Sequence, residues 1–270
     1  MRAGHLSLTA LLVAAARAHP DVDGEALSLL PAWVAVLTRL AGGALASPLA
    51  LGFGAHIRLR TRAIDDVVRR LDAGTTQLVI LGAGLDSRAL RMPEVARLRV
   101  FEVDHPAMQR YKKARLARRY GMARELGFVP VDFERDELGA ALEQAGHRAD
   151  EPTCFVWEGV TMYLGAAARD KTLDAIAARA APGSVVAATY VTPDLTRLGR
   201  LAGSAAHFVF RGIGEPLLGP VTTADLASSF SSRGFQFVSD EGANRWAERF
   251  EPRARHLLVL HERLMVTERV

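Results

Sequence analysis

A single cysteine, Cys154, in 270 residues excludes an internal disulfide, and no His and Cys residues are spaced as metal ligands are. Cys154 stands in the apolar run Cys154-Phe155-Val156-Trp157, which reads as an inert core thiol. Aromatic residues make up 7% of the chain and are not interleaved with basic ones as in an RNA-binding sheet. Charge of one sign is also scarce: the net charge is +4, the basic residues form no single block, and nucleic-acid binding ranks low. What surplus there is favours approach of an anionic small molecule.

Long hydrophobic runs are missing too. Leu6 to Ala16, with Arg2 before it, imitates a short signal peptide, but Ser7 and Thr9 interrupt it and Arg17-Ala18-His19-Pro20 reads as a helix ending. A first helix packed on the domain is the expectation, in a cytoplasmic protein. Leu29 to Phe53 is broken by Pro31, Arg39, Gly42-Gly43 and Pro48, so no membrane span is expected.

Hydrophobic content is what the chain has in quantity, at 49%, enough for one large α/β domain. Residues 1–70 read as a helical cap. From Thr76 the period changes, and short β-rich runs appear at 78–82, 98–103, 128–132, 154–158 and 184–191 with helical stretches between most of them. That alternation is the mark of a parallel sheet covered on both faces. Pro106 suits a first helical position, Gly183 closes a helix over 166–180, and Thr223 caps one ending at Ser232. Two closing strands are expected, at 235–238 and 256–261. The basic stretch Arg110 to Arg119 reads as a solvated outer face. Residues 192–221, rich in Gly and Pro, read as an insertion covering a site at the carboxyl end of the sheet. One domain results: a cap (1–70), a core (71–191), a lid (192–221) and the end of the sheet (222–270).

Leu78 to Arg88 carries the chemistry. An apolar strand ends in Gly82-Ala83-Gly84-Leu85-Asp86, where residues without Cβ let the backbone turn onto a ligand. About twenty residues on, Phe101-Glu102-Val103-Asp104 ends a second apolar strand in acids on one side, placed to hold ribose hydroxyls, with Asp104 at the tip the first choice. A third glycine is absent and Pro93 halts the next helix after about one turn, which disfavours a pyrophosphate. S-adenosylmethionine fits better than a dinucleotide. Val131-Asp132-Phe133 places a carboxylate and an aromatic ring where an adenine would lie, or caps the helix over 136–145, although Asp136 suits the capping role better. Glu158, after the apolar run Cys154 to Trp157, needs a cationic partner. One arginine of Arg58-Leu59-Arg60-Thr61-Arg62 is suited to hold a carboxylate.

These motifs resemble those of the leucine carboxyl methyltransferase family in its bacterial branch, which includes carboxyl methyltransferases of polyketide pathways. The resemblance rests on Arg60-Thr61-Arg62-Ala63-Ile64-Asp65-Asp66, Leu81-Gly82-Ala83-Gly84-Leu85-Asp86-Ser87-Arg88, Phe101-Glu102-Val103-Asp104-His105-Pro106, Val131-Asp132-Phe133 and Trp157-Glu158-Gly159-Val160-Thr161-Met162-Tyr163-Leu164. It implies a class I, Rossmann-like sheet of seven mostly parallel strands, with the last strand antiparallel. It also implies an O-methyltransferase that uses S-adenosylmethionine without a metal. Arg60 would grip the cofactor carboxylate, Gly82 would lie against its methionine portion and Asp104 would take the ribose, with Ala83, Gly84, Asp86 and Glu102 also among the cofactor-binding residues. Asp132 and Phe133 would meet the adenine, and Glu158 the amino-acid end. No catalytic residue stands out; Tyr163, Tyr190, His207 and Arg211 are candidates for the acceptor pocket, with His56, Arg197 and Arg200 behind them. A small-molecule acid is the expected acceptor, with neither nucleic acid nor membrane as partner, and the chain a monomer or homodimer. A hydroxyl, a peptide or protein C-terminus, or binding without turnover are the alternatives.

Overall fold

The structure, a computed structural model, describes residues 7–40, 48–116, 121–193, 218, 220–257 and 261–270. Seven strands form one sheet in the order β3-β2-β1-β4-β5-β7-β6: β1 (Gln77–Leu81), β2 (Arg99–Asp104), β3 (Glu125–Pro130), β4 (Thr153–Trp157), β5 (Val185–Val191), β6 (Phe235–Gly242) and β7 (Glu262–Arg269). β1 to β5 pair in parallel, and β7 runs antiparallel between β5 and β6. Chain order reverses beside β1, whose neighbours are β2 and β4, so a crevice opens at their carboxyl ends. β1 and β4 are buried at every residue, as continuous apolar runs require of central parallel strands.

The helical cap comprises α1 (Leu8–Arg17), α2 (Ala26–Leu29), α3 (Ala32–Leu40) and α4 (Pro48–Arg69). Later helices are α5 (Arg88–Arg91), α6 (Pro106–Leu116), α7 (Leu138–Gln144), α8 (Ala166–Arg179), α9 (Thr223–Ser231) and α10 (Ala243–Phe250). One apolar cluster joins α4 and α10 to one face of the sheet, through Leu59, Ile64, Ile80, Val156 and Trp246. A second fills the opposite face through Val79, Val103, Phe155, Leu173 and Phe230. Cys154 is fully buried, and burial pushes its thiol up to about 12, so it is inert at neutral pH. Among the described residues no helix is long and apolar enough to cross a membrane.

Several expectations are corrected. β3 ends at Pro130, not at residue 132, because the Asp132 carbonyl accepts the Arg135 and Asp136 N–H groups and folds the chain into a turn. Asp136 does not cap α7; its carboxylate accepts the Asp132 N–H at 2.8 Å. The cap of α9 is Thr222, whose hydroxyl accepts the Asp225 N–H at 3.1 Å. The run at 256–261 is not the last strand: a 3-10 turn holds residues through Leu257, and β7 follows from Glu262. β7 was obscured because it buries a charged residue, Glu262. α10 was missed, although Ala243, Trp246, Ala247 and Phe250 recur at helical spacing. The residues 110–116 of the basic stretch are not simply solvated, since Lys112 is buried and Arg115 donates to the Leu30 carbonyl at 2.8 Å. Trp246→Ala should therefore lower unfolding stability by about 3–5 kcal/mol in urea titration, as emptying a packed aromatic site does.

Candidate functional site

A cavity of about 270 Å³ lies over the carboxyl ends of β1, β2 and β4, near the lower limit for small-molecule pockets. Its floor is the turn after β1. Gly82 and Gly84 adopt φ of 68° and 50°, the left-handed region that a side chain disfavours. A Cβ on Gly82 would overlap the Val160 side chain, so backbone and side chain meet there with no room to spare. The Gly82 and Ala83 N–H groups donate to the Val103 carbonyl at 2.8 and 3.0 Å, tying the turn to β2. Asp104, at the tip of β2, accepts the Gly84 N–H on Oδ2 and the His105 N–H at 2.5 Å on Oδ1. Both oxygens are thus aimed by backbone groups while the residue still lines the cavity. Burial raises the Asp104 carboxyl above its ordinary range, against the opposing effect of those two N–H groups.

Other walls come from separate elements. Val131, Asp132, Phe133 and Glu134 follow β3; Glu158, Gly159 and Val160 follow β4, with Tyr163 just beyond. α1 crosses one side with Ser7, Ala10, Val13 and Arg17, and Leu218 contributes from the end of the predicted lid. Asp132 Oδ1 accepts the Glu134 N–H at 3.1 Å, which orients its carboxylate.

Behind the cavity runs a chain of buried ions. Arg60 donates from Nε to Glu158 at 3.0 Å and from Nη1 to both oxygens of Glu262 at 3.0 Å. Its Nη2 bonds no protein atom among the described residues, and the guanidinium borders the cavity. Glu158 also accepts from Arg88 Nη1 at 2.8 Å, and Arg88 reaches Asp65 at 2.8 Å and Asp86. Arg91 pairs with Asp65 at 2.8 Å, while Asp23 pairs with Arg17 at 2.7 Å and accepts the Ser87 hydroxyl at 2.6 Å. Burial alone would raise the Asp86 and Glu158 carboxyls, but Arg88 and its fellow cations overcome it and hold both below the usual range. Glu262 is likewise pulled down to about 2, by Arg60 and His56 against the effect of burial.

The structure gathers Arg60, Gly82, Ala83, Gly84, Asp86, Asp104, Asp132, Phe133, Glu158 and Tyr163 around one cavity. Glu102 is not there: it is 1% exposed and pairs with Lys112 at 2.5 Å, beneath the site. Tyr190 is also corrected, being buried against Thr223 at 2.7 Å and Asp240 at 3.0 Å, outside the cavity lining. His56 faces Glu262 at 2.7 Å rather than any acceptor. His207, Arg211, Arg197 and Arg200 lie outside the described residues. Arg17 and Asp23 were missed; a helix-ending arginine and a loop aspartate give no sign that they will be buried together.

A family model for leucine carboxyl methyltransferase matches residues 23–177, more than half of the chain. The chain belongs to the leucine carboxyl methyltransferase family. Within this family it is 42% identical over 141 residues to a Mycobacteroides abscessus protein provisionally named an S-adenosyl-L-methionine-dependent methyltransferase, covering 50% of this chain and 43% of that one. A similarly named protein of Mycobacterium sp. strain KMS is 39% identical over 215 residues, 71% of this chain and 70% of that one. The chain thus spans less than half the length of the first relative. A solved DUF574 family protein from Streptomyces avermitilis superposes with a TM-score of 0.65 at 14% identity, covering 99% of both chains. The fold is accordingly the class I methyltransferase sheet expected for a leucine carboxyl methyltransferase family member.

Two outcomes follow from the buried ions. Arg88→Met should cost about 3–5 kcal/mol of unfolding stability, because Asp65, Asp86 and Glu158 lose a shared cation inside the protein. The depressed Glu262 adds stability that is fully present above pH 4.5, its ordinary value, and is lost as pH falls through about 2. Urea midpoints measured across this range should fall with acid, and Glu262→Gln should flatten that part of the profile.

Proposed function

We propose that this chain is an S-adenosylmethionine-dependent O-methyltransferase that esterifies a carboxylate of a small molecule. The observation that carries the cofactor is Asp104, with both oxygens aimed by backbone N–H groups at the rim of a glycine-floored cavity. That cavity fits the cofactor on its own chemistry: a floor where a Cβ would clash, a fixed carboxylate for a diol, and acids to face a cation. Bound S-adenosylmethionine supplies a methyl group already activated on a sulfonium.

The chain's residues then bind, orient and exclude water. Asp104 accepts from the ribose hydroxyls, and Asp132 with Phe133 meets the adenine. The unused Nη2 of Arg60 takes the cofactor carboxylate, while Glu158, itself fixed by Arg60 and Arg88, faces the amino-acid end. Val13 and Val160, with Leu218, present apolar surface that keeps water from the line of transfer. A carboxylate acceptor is ionised at neutral pH and asks for no general base, which agrees with the roles the lining residues can play. The family's carboxyl chemistry supports this acceptor over a hydroxyl, which would need proton removal. The acceptor class is a small-molecule acid, neither nucleic acid nor membrane, and secondary metabolism in the cytoplasm is the setting proposed.

Calorimetric titration of the full chain with S-adenosylhomocysteine should give micromolar binding that Asp104→Ala weakens by at least about 100-fold, the loss expected for a charged acceptor of two hydrogen bonds. Methylated products from a panel of carboxylic acids should be cleaved by mild base, as esters are and ethers are not. Base-stable products would move the acceptor to a hydroxyl.

A further inference from the structure

Below the tip of β2 lies an ion pair that the binding roles above leave unused. Glu102 and Lys112 are each about 1% exposed, and their Oε2 and Nζ lie 2.5 Å apart. Apart from this contact neither the ammonium nor either Glu102 oxygen has a hydrogen-bond partner among the described residues. Gln109, one turn before Lys112 on α6, spends its amide on the Glu102 and Val129 carbonyls at 2.6 and 2.8 Å and gives the pair nothing. A buried pair so poorly satisfied is a poor stabilising device; two apolar side chains of the same volume would serve folding as well or better. What it supplies is charge at a chosen place. Glu102 and Asp104 project from the same side of β2, and Lys112 stands on the helix that begins directly after Asp104.

Resting on the reading of Asp104 as the ribose carboxylate, we propose that Lys112 is a positioning residue for the donor: it neutralises Glu102 so that Asp104 stays charged and anchored to the Gly84 and His105 N–H groups. Three carboxylates crowd this region from different elements: Asp86 from the turn after β1, and Glu102 and Asp104 from β2. Arg88 and Arg17 answer Asp86, His105 donates its backbone N–H to Asp104, and Lys112 is the cation that acts on all three. Burial pushes Glu102 up to about 7 even with Lys112 beside it, and Asp86 and Asp104 add to the rise. Without the lysine, either Glu102 takes a proton or its charge bears on Asp104.

The two halves of the pair therefore make opposite predictions. Lys112→Met should weaken S-adenosylhomocysteine binding about tenfold at acid pH, where Asp104 without the ammonium takes a proton more readily, with the deficit shrinking as pH rises. Glu102→Gln leaves the ammonium to act on Asp86 and Asp104 without the competing carboxylate, and should hold wild-type affinity or better down to lower pH than wild type. The double variant, a neutral pair, should bind no worse than Lys112→Met at acid pH and better at alkaline pH, where Glu102 of the single variant carries an uncompensated charge. Titration calorimetry of the full chain at several pH values reads all three. A purely structural pair would lower the unfolding midpoint in both single variants and leave the pH dependence of binding unmoved; that result overturns the proposal. Should Lys112→Met not fold, Glu102→Gln alone decides, since an unaltered pH profile for it has the same force. Equal binding by wild type and Asp104→Ala would instead remove the ribose assignment beneath it, and no binding by wild type would remove the donor reading and this inference together.

Discussion

The linked carboxylates and guanidinium groups that run from Asp23 through Arg91, Asp65, Arg88, Glu158 and Arg60 to Glu262 govern this molecule. Every ion pair in the chain joins two separate elements, drawn from the loop after α1, α4, α5, the tip of β4, and β7. Hydrophobic contact is non-directional and tolerates small shifts, whereas a buried guanidinium fixes its acids in angle as well as distance. The apolar clusters on the two faces of the sheet supply the bulk driving force. The ions set where the turn after β1, the tip of β4 and the first helix stand relative to one another. A cavity bounded by segments from so many parts of the chain needs that kind of register.

Fold class was legible because the periodicity of the chain changes at Thr76 and because β1 and β4 are unbroken apolar runs. The turn glycines and the acid at the tip of β2 were legible for a related reason: each is chemically out of place unless a ligand or a partner explains it. Glu102 shows where that logic stops. Alternation places it on the Asp104 side of the strand, but only tertiary packing says that Lys112, ten residues on, fills the space before a ligand can. Tyr190 fails in the same way, since its partners Thr223 and Asp240 come from across the sheet. β7 was hidden by its buried acid. Trp246 and its helix carried a readable signal in their spacing, and the short length of that segment masked it.

The wall made by α1 lies outside the stretch that the family model matches, which starts at residue 23. The turn after β1 and the acids at the tips of β2 and β4 lie within that stretch, so the two sides of the cavity come from different parts of the chain. Arg17 joins them, donating to the Leu85 carbonyl at 2.5 Å and pairing with Asp23 at 2.7 Å. One ion pair and one hydrogen bond thus seat the first helix on the floor of the cavity.

Glu262 gives the site a history as well as a geometry. Arg60 and its acceptor are 202 residues apart, and the acceptor sits on the strand that must slide between β5 and β6 to close the sheet. Until that insertion, Arg60 and Glu158 face each other without the second carboxylate that completes the guanidinium's bonding. The bonding of Arg60 is complete only with β7 in place, which ties one wall of the cavity to the antiparallel end of the sheet.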